Sequence, residues 1–383
     1  MKTNQKRKNR TFFCYILIIS LLIIQGCSAN RPGPGNDTTS ESVQPSESNP
    51  PIETADSSEE SESSEETESS EETETAGPAY EPFQYETGNH YFSQMLKDNV
   101  GNEVLKAAYD VIDAFIAHET SVKVEFTGHY QKFTEELGFA LNCIFPPFSA
   151  CAEYNSLHTY NKNDGTVSWK YKYEKSECDE IINACEEATE KYMSKLREGD
   201  TDTAKALLLY NALTKDAFYD YDVMKNVSGD SEEFERRTST YQALVNKSGI
   251  CYSFSFALVY LYMRAGINCI TTSSMEGVGA HMWVMVELAD KYYYVDPTWD
   301  LGGGFYHFGI TSTDRASWAG SYAEDSCFVH AVPVSETYVI DDERFLDMRG
   351  YLIEGGVYDI EIDREKQIAV ISNEYTTYSL DCR

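Results

Sequence analysis

Cys251, His281 and Asp296 are the residues whose types and order carry chemistry. A thiolate is a nucleophile, an imidazole can take its proton and hand it to a leaving group, and a carboxylate can hold that imidazole in one orientation. Cys251 stands before the apolar run Phe254 to Arg264, which stops at Gly266. That spacing predicts a buried helix with the sulfur at its positive N-terminal end, where the thiolate is favoured. Gly249 just before it permits a tight entry turn. Ala280 to Leu288 reads as a strand, Ala289-Asp290-Lys291 as a turn, and Lys291 to Asp296 as the return strand. With a two-residue loop, paired positions sum to an odd number. Asp296 then lies opposite Trp283 or Met285, on the face that carries His281, while Met282, Val284, Val286 and Leu288 fill the other, core face. Diagonal neighbours in such a pair are about 7–8 Å apart at the backbone, near enough for a carboxylate to meet an imidazole. Alone, Cys251 reads equally well as a small buried hydrophobe. The histidine and aspartate on one hairpin face favour a nucleophile with its base and orienter.

The elements that must position these residues are mostly helices upstream and strands downstream. Tyr91 to His118 carries an apolar stripe of Leu105, Ala108, Val111, Ile112, Phe115 and Ile116 at helical spacing. Further helices are expected over Thr134 to Ile144 (ended by Pro146-Pro147), Cys178 to Arg197 and Thr201 to Tyr219, with a strand over Ser168 to Glu174. Asp222 to Thr240 reads as a polar loop broken at Gly229, and Thr240 to Lys247 as a short helix leading to Ser248-Gly249. Tyr306 to Thr311 reads as a strand and Thr313 to Ala323 as a short helix or loop. In the last fifty residues, Gly356 to Ile362 and Gln367 to Asn373 alternate as strands around a turn at Asp363-Arg364. The resulting division is residues 80–235, mainly helical; 236–330, the chemical core; and 331–383, a β-rich extension.

The N-terminus reads as an export signal. Lys2, Lys6, Arg7, Lys8 and Arg10 form a basic head, and Thr11 to Ile24 is an apolar stretch too short for an ordinary membrane-spanning helix. It runs into Ile24-Gln25-Gly26-Cys27, which resembles a bacterial lipobox. The expected outcome is diacylglyceryl attachment at Cys27 and an extracellular protein held at the cell membrane. The alternative is an ordinary secretory signal. Ser28 to Ala79 holds 14 acidic residues and one basic residue among Ser, Thr, Pro and Gly, a composition that reads as a disordered tether. Stretched out, it reaches roughly 170–190 Å. The whole chain carries a formal charge of −32, of which −24 remains in residues 80–383, so nucleic acid is not an expected partner. Of the ten cysteines, Cys143, Cys151, Cys178, Cys185, Cys269, Cys327 and Cys382 have no assigned chemistry. Cys143 with Cys151 and Cys269 with Cys327 are candidate pairs. There is no CxxC and no histidine pair at ligand spacing, so no metal is expected.

The segment from Tyr241-Gln242-Ala243-Leu244 through Gly249-Ile250-Cys251-Tyr252-Ser253-Phe254-Ser255, Ala265-Gly266-Ile267 and His281-Met282-Trp283-Val284 to Tyr294-Val295-Asp296-Pro297-Thr298-Trp299-Asp300 resembles the transglutaminase-like superfamily, in particular its bacterial surface-protein branch. The resemblance implies an α+β fold shared with papain-like cysteine proteases, a Cys251-His281-Asp296 triad and no cofactor. The backbone N–H of Cys251 would offer one oxyanion donor; Gln242 is a candidate for the second, and Trp283 and Trp299 would wall the site. The implied activity is acyl transfer from an amide through a thioester, as a hydrolase of protein or cell-wall peptides. The alternatives are a protein-crosslinking transglutaminase and an inactive surface binding module. Ser253, Phe254, Ser255 and Val284 depart from the Gly, Tyr, Ala and Asn of the family pattern and are expected to crowd the cysteine or histidine.

Overall fold

The computed structural model describes residues 80–383 apart from 86, 128–129, 154–158, 162–163, 226–230, 275–280, 320–325 and 328–336. The expected export signal, Cys27 and the acidic tether lie outside the described residues. Glu81–Arg383 fall within one compact unit. No described helix is long and apolar enough to cross a membrane.

In chain order, helix α1 spans Gln94–Ile116. Ser93 starts it by accepting the Leu96 N–H on its hydroxyl at 3.0 Å. Gly101, at φ +79°, interrupts the helical backbone and kinks it. Strand β1 (Ser121–Lys123), helix α2 (Tyr130–Ile144) and helix α3 (Pro146–Cys151) follow. Pro146 and Pro147 thus open a new helix as well as closing the expected one, because proline lacks the N–H that a first turn leaves unused. Strands β2 (Thr159–Asn161) and β3 (Thr166–Ser168) join β1 in an antiparallel sheet of order β1-β3-β2. The strand expected over Ser168 to Glu174 is shifted towards the N-terminus; beyond Ser168 only Tyr171 pairs, with Ala152.

Helix α4 (Lys175–Met193) and helix α5 (Asp202–Thr214) bring the apolar faces read from the sequence. Strand β4 (Phe218–Tyr219) takes the end of the segment assigned to the second of them. Residues 222–240 are largely helical: α6 (Tyr221–Lys225) and α7 (Ser231–Thr238) lie on either side of residues 226–230. High charge obscured α7, yet its charges are spaced for local pairing, and Arg236 grips Glu233 one turn earlier at 2.7 Å. Helix α8 (Thr240–Asn246) and strand β5 (Ser248–Gly249) then deliver the chain to helix α9 (Cys251–Arg264).

Helix α9 is apolar all round, and all of its residues except Tyr252 are buried. It packs against strands β6 (Cys269–Ser274) and β7 (His281–Leu288) of a five-stranded antiparallel sheet completed by β8 (Lys291–Val295), β9 (Phe308–Ile310) and β10 (Ser326–Cys327), in the order β10-β6-β7-β8-β9. Strand β7 is buried on both faces: Trp283 and Met285 are as inaccessible as Val284 and Val286. The one-faced burial expected from alternation is therefore corrected, since every position except Glu287 and the end histidine is apolar and both faces are covered. Helix α10 (Ser312–Ala319) follows β9, and helix α11 (Leu346–Tyr351) leads into an antiparallel sheet of β11 (Asp359–Asp363), β12 (Ile368–Ser372) and β13 (Thr377–Asp381). That terminal sheet shares the main core through Ala369, Ile371 and Leu380. The molecule is an α+β fold.

Neither cysteine pairing read from the sequence is formed. Cys151 lies beside Cys178. The β6–β10 register sets Cys327 opposite Thr272, three residues from Cys269 and out of phase with it.

Candidate active site

The site is built first from the entry into α9. The Ile250 N–H donates to the Ser253 hydroxyl at 3.1 Å, and that hydroxyl donates to the Thr238 carbonyl at 2.6 Å. The Gly249 carbonyl accepts the Asp220 N–H at 2.8 Å. A Cβ on residue 249 would fall 2.6 Å from the Ser253 side chain, so this clamp requires glycine. One turn into the helix, the Ser255 hydroxyl donates to the Met282 carbonyl at 3.0 Å. One turn further, the Val259 carbonyl receives the Cys269 thiol at 3.6 Å, and Cys269 pairs with Val286. Helix α9 therefore advances along β7 from Met282 towards Val286. Its first turn, with the buried Cys251, falls at the His281 end. Ser253 and Ser255, expected to crowd the site, are instead the side chains that pin the Cys251 turn in place.

The hairpin supplies the other two side chains. Its ladder runs from Leu288 opposite Lys291 to Val284 opposite Val295, so the loop is the two residues Ala289-Asp290 and paired positions sum to an odd number, as parity predicts. Both loop residues have positive φ, 50° and 60°, the twist a two-residue hairpin needs. Continued by one residue, the register brings Asp296 opposite Trp283 and diagonal to His281. The side chains meet: His281 Nε2 and Asp296 Oδ2 are 2.6 Å apart, each side chain 3% exposed. A carboxylate only accepts, so Nε2 carries the hydrogen and Nδ1 is left as the proton-accepting nitrogen of the neutral ring. The second oxygen, Asp296 Oδ1, accepts the Thr298 N–H at 3.1 Å. Burial by itself would raise the Asp296 pKa, but the net shift is downward, through the His281 charge, the His281 hydrogen bond and the Arg315 charge. The arrangement can hold an anionic carboxylate behind an imidazole and keep that imidazole fixed at the end of α9.

The sequence model described as transglutaminase-like superfamily matches residues 190–297. Residues 190–297 are a transglutaminase-like core. The match contains Gln242, Cys251, His281, Trp283 and Asp296. A solved structure described as "Crystal structure of a TGase" is similar at 13% identity, over 33% of this chain and 34% of that one, with a TM-score of 0.25. The chain spans about a third of that structure's length, and likeness at that level carries no weight here. No curated protein sequence matches the chain.

Within the transglutaminase-like core and just beyond it, the two tryptophans flank the histidine. The Trp299 ring stacks on His281 at 5.1 Å and 12°, and Trp283 lies on it at 5.8 Å and 23°. Gln242 lines a surface groove with Phe218, Tyr219 and Ser248, and its side-chain oxygen accepts the Asn246 amide at 2.7 Å. That places its polar end along α8, engaged one turn onward.

Three features of the site were not read from the sequence. The Arg315 guanidinium, on α10, is buried and lies 3.9 Å from the Trp283 ring centre and 5.1 Å from that of Trp299. A second buried His–Asp pair stands behind the first: His307 Nδ1 and Asp300 Oδ1 are 2.9 Å apart, and the His307 N–H donates to Asp300 Oδ2 at 2.8 Å. The Tyr210 hydroxyl sits between Asp300 Oδ2 at 2.7 Å and the Asp296 carbonyl at 2.8 Å, sharing its one proton. Asp300 was legible as the last residue of the quoted motif. Arg315 had no signal beyond its proximity in sequence.

Proposed function

We propose that the protein is a cysteine enzyme in which Cys251 is the nucleophile, His281 the general base and acid, and Asp296 the group that orients the imidazole. The observation that carries the reading is the buried 2.6 Å contact between His281 Nε2 and Asp296 Oδ2, which turns Nδ1 to the proton-accepting role at the end of the strand where α9 begins with Cys251. The thiolate adds to an amide carbonyl carbon, and the backbone N–H of Cys251 is the candidate donor to the resulting oxyanion. The imidazolium then gives its proton to the nitrogen as the C–N bond breaks, leaving a thioester and a free amine. Water, deprotonated by His281, adds to the thioester; the acid is released and the thiol restored. An amine in place of water would form a new amide.

Hydrolysis of protein or cell-wall peptides, by an extracellular protein lipid-anchored at Cys27, is the form of this reading that fits a basic head, a short apolar stretch and an acidic tether ahead of the folded unit. Thiol labelling of the full chain tests the chemistry. The expected result is that iodoacetamide modifies Cys251 near neutral pH faster than it modifies an ordinary thiol, and more slowly in His281→Ala. A Cys251 that labels no faster than a free cysteine, unaffected by His281→Ala, leaves only the binding-module alternative. Mass analysis of peptides incubated with and without a primary amine separates hydrolysis from transfer.

A further inference from the structure

Cys151 and Cys178 are far from the chemistry in sequence and unassigned by it, yet the fold brings them together. Cys151 is the last residue of α3, and the chain that follows it pairs antiparallel with residues 170–172. The Lys172 N–H donates to the Cys151 carbonyl at 2.7 Å, Ala152 bridges Tyr171, and the Glu153 N–H donates to the Lys170 carbonyl at 2.8 Å. Three residues after Lys172 the chain enters α4, and Cys178 lies in its first turn, with its thiol directed back onto the Tyr173 carbonyl at 3.7 Å. Residue 173 neighbours the residue bonded to Cys151, so the return of the first turn carries one sulfur to the other. The two side chains interact with each other, both are free thiols in this structure, and both residues are buried, at 0% and 2% exposure. The bridge sets Cys151 opposite Lys172, and the first turn of α4 brings the Cys178 side chain back towards that end of the bridge, so the two cysteines are neighbours, as a disulfide requires.

We propose that Cys151 and Cys178 are joined by a disulfide in the mature protein, stapling the end of α3 to the start of α4. The oxidant is the disulfide of a protein thiol-oxidising partner. One cysteine thiolate attacks a sulfur of that disulfide, forming a mixed disulfide and releasing one donor thiolate. The thiolate of the second cysteine attacks the first cysteine's sulfur, forming the Cys151–Cys178 bond and releasing the second donor thiolate. Two protons leave the cysteines, and two electrons reduce the donor to its dithiol. Because burial pushes both thiols up, the exchange belongs to folding, before the α3–α4 junction closes. The bond encloses the chain that forms β2 and β3, whose ends it would fix in the unfolded state. It leaves Cys251 as a thiol and is independent of the proposed reaction.

The test is peptide mapping of the full chain exported to an oxidising bacterial periplasm, or refolded from the reduced state in a glutathione redox mixture. The protein is denatured without reductant, free thiols are alkylated, and the chain is digested. The expected product is a pair of peptides containing Cys151 and Cys178, lighter by two hydrogens than their sum and separated by reductant. Reductant should also lower the melting temperature by roughly 5–10 °C, a drop absent in Cys151→Ser and Cys178→Ser. Alkylation of both residues without prior reduction overturns the proposal, as does a cross-linked peptide that joins either one to a different cysteine. The mapping needs no variant, so it decides the question even if a serine variant fails to fold.

Discussion

Asp296→Asn removes the charge behind His281 and almost none of the volume. In the wild-type chain the carboxylate and the imidazole are in direct contact at 2.6 Å, with both side chains 3% exposed, so solvent screens the pair little. Two unit charges whose centres are about 4 Å apart interact by about 4 kcal/mol at the effective dielectric of protein sites. Arg315 also faces Asp296 and offsets part of that field. Keeping half as a floor leaves about 2 kcal/mol for the imidazolium, equivalent to a factor of about thirty in the population of the thiolate–imidazolium pair. The amide also presents a donor where the ring needs an acceptor, which disturbs the tautomer. The assay is the rate of iodoacetamide modification at Cys251 from pH 5 to 8, read by peptide mass. Background is small: burial pushes Cys185 up to about 12 and Cys382 up to about 11, so at pH 7 their thiolate fractions are about 10⁻⁵ and 10⁻⁴. Asp296→Asn should slow the reaction at least about thirtyfold at pH 7. A rate within threefold of wild type throughout the range refutes the assignment of Asp296 as orienter.

Other perturbations have expected outcomes of their own. Arg315→Leu removes a charge that holds the Asp296 pKa down; a depressed carboxylate contributes stability above its unfolded pKa and loses it as pH falls through the folded value. The variant should therefore begin to lose stability at a higher pH than wild type in urea melts between pH 3 and 7, and identical acid profiles would rule this out. Ser253→Ala strips a buried hydroxyl from the Thr238 carbonyl and the Ile250 N–H, at a cost of about 1–3 kcal/mol in chemical denaturation; an unchanged midpoint would mean the clamp at α9 is idle. Ala289→Gly relieves a left-handed alanine in the β7–β8 loop and should raise stability by about 1 kcal/mol, checked by the same melts. A loss of stability would contradict the strain inferred there.

The register of the β7–β8 hairpin was legible because parity is a strict rule: one odd-sum loop fixes which residues share a face, and Asp296 followed from Ala289-Asp290 alone. The helix beginning at Cys251 was legible from its uninterrupted apolar run and from Gly266. Strand β6 was not, since Thr271, Thr272 and Ser273 are polar in composition yet buried between neighbours. Residues 222–240 read as loop because charge dominates them, although charged side chains spaced three and four apart suit a helix face. Arg315 was illegible for a different reason. A buried cation is recognised by what surrounds it, here two indole rings, and no spacing in one segment reports rings contributed by two others. The departures at Ser253 and Ser255 were visible, but their sense was not: a hydroxyl reads as bulk until its acceptor is known.

The segment that leads into the terminal sheet, including α11, is tied to the helix that carries Arg315. Thr311 and Asp314 cap α10 reciprocally, Arg349 reaches Asp314 at 2.5 Å, and Phe345 fills the space that a side chain on Gly309 of β9 would need. Tyr293 of β8 donates to Asp342 at 2.6 Å. Residues from 340 onward therefore brace the same sheet that presents His281 and Asp296. For anyone recombining such chains, the extension is not an interchangeable cassette: a graft that ends after β9, or replaces the tail with a foreign one, removes the bracing of α10 and with it the cation beneath the indoles. The sensible crossover point lies ahead of residue 81, where the uninterrupted run of the compact unit to Arg383 begins.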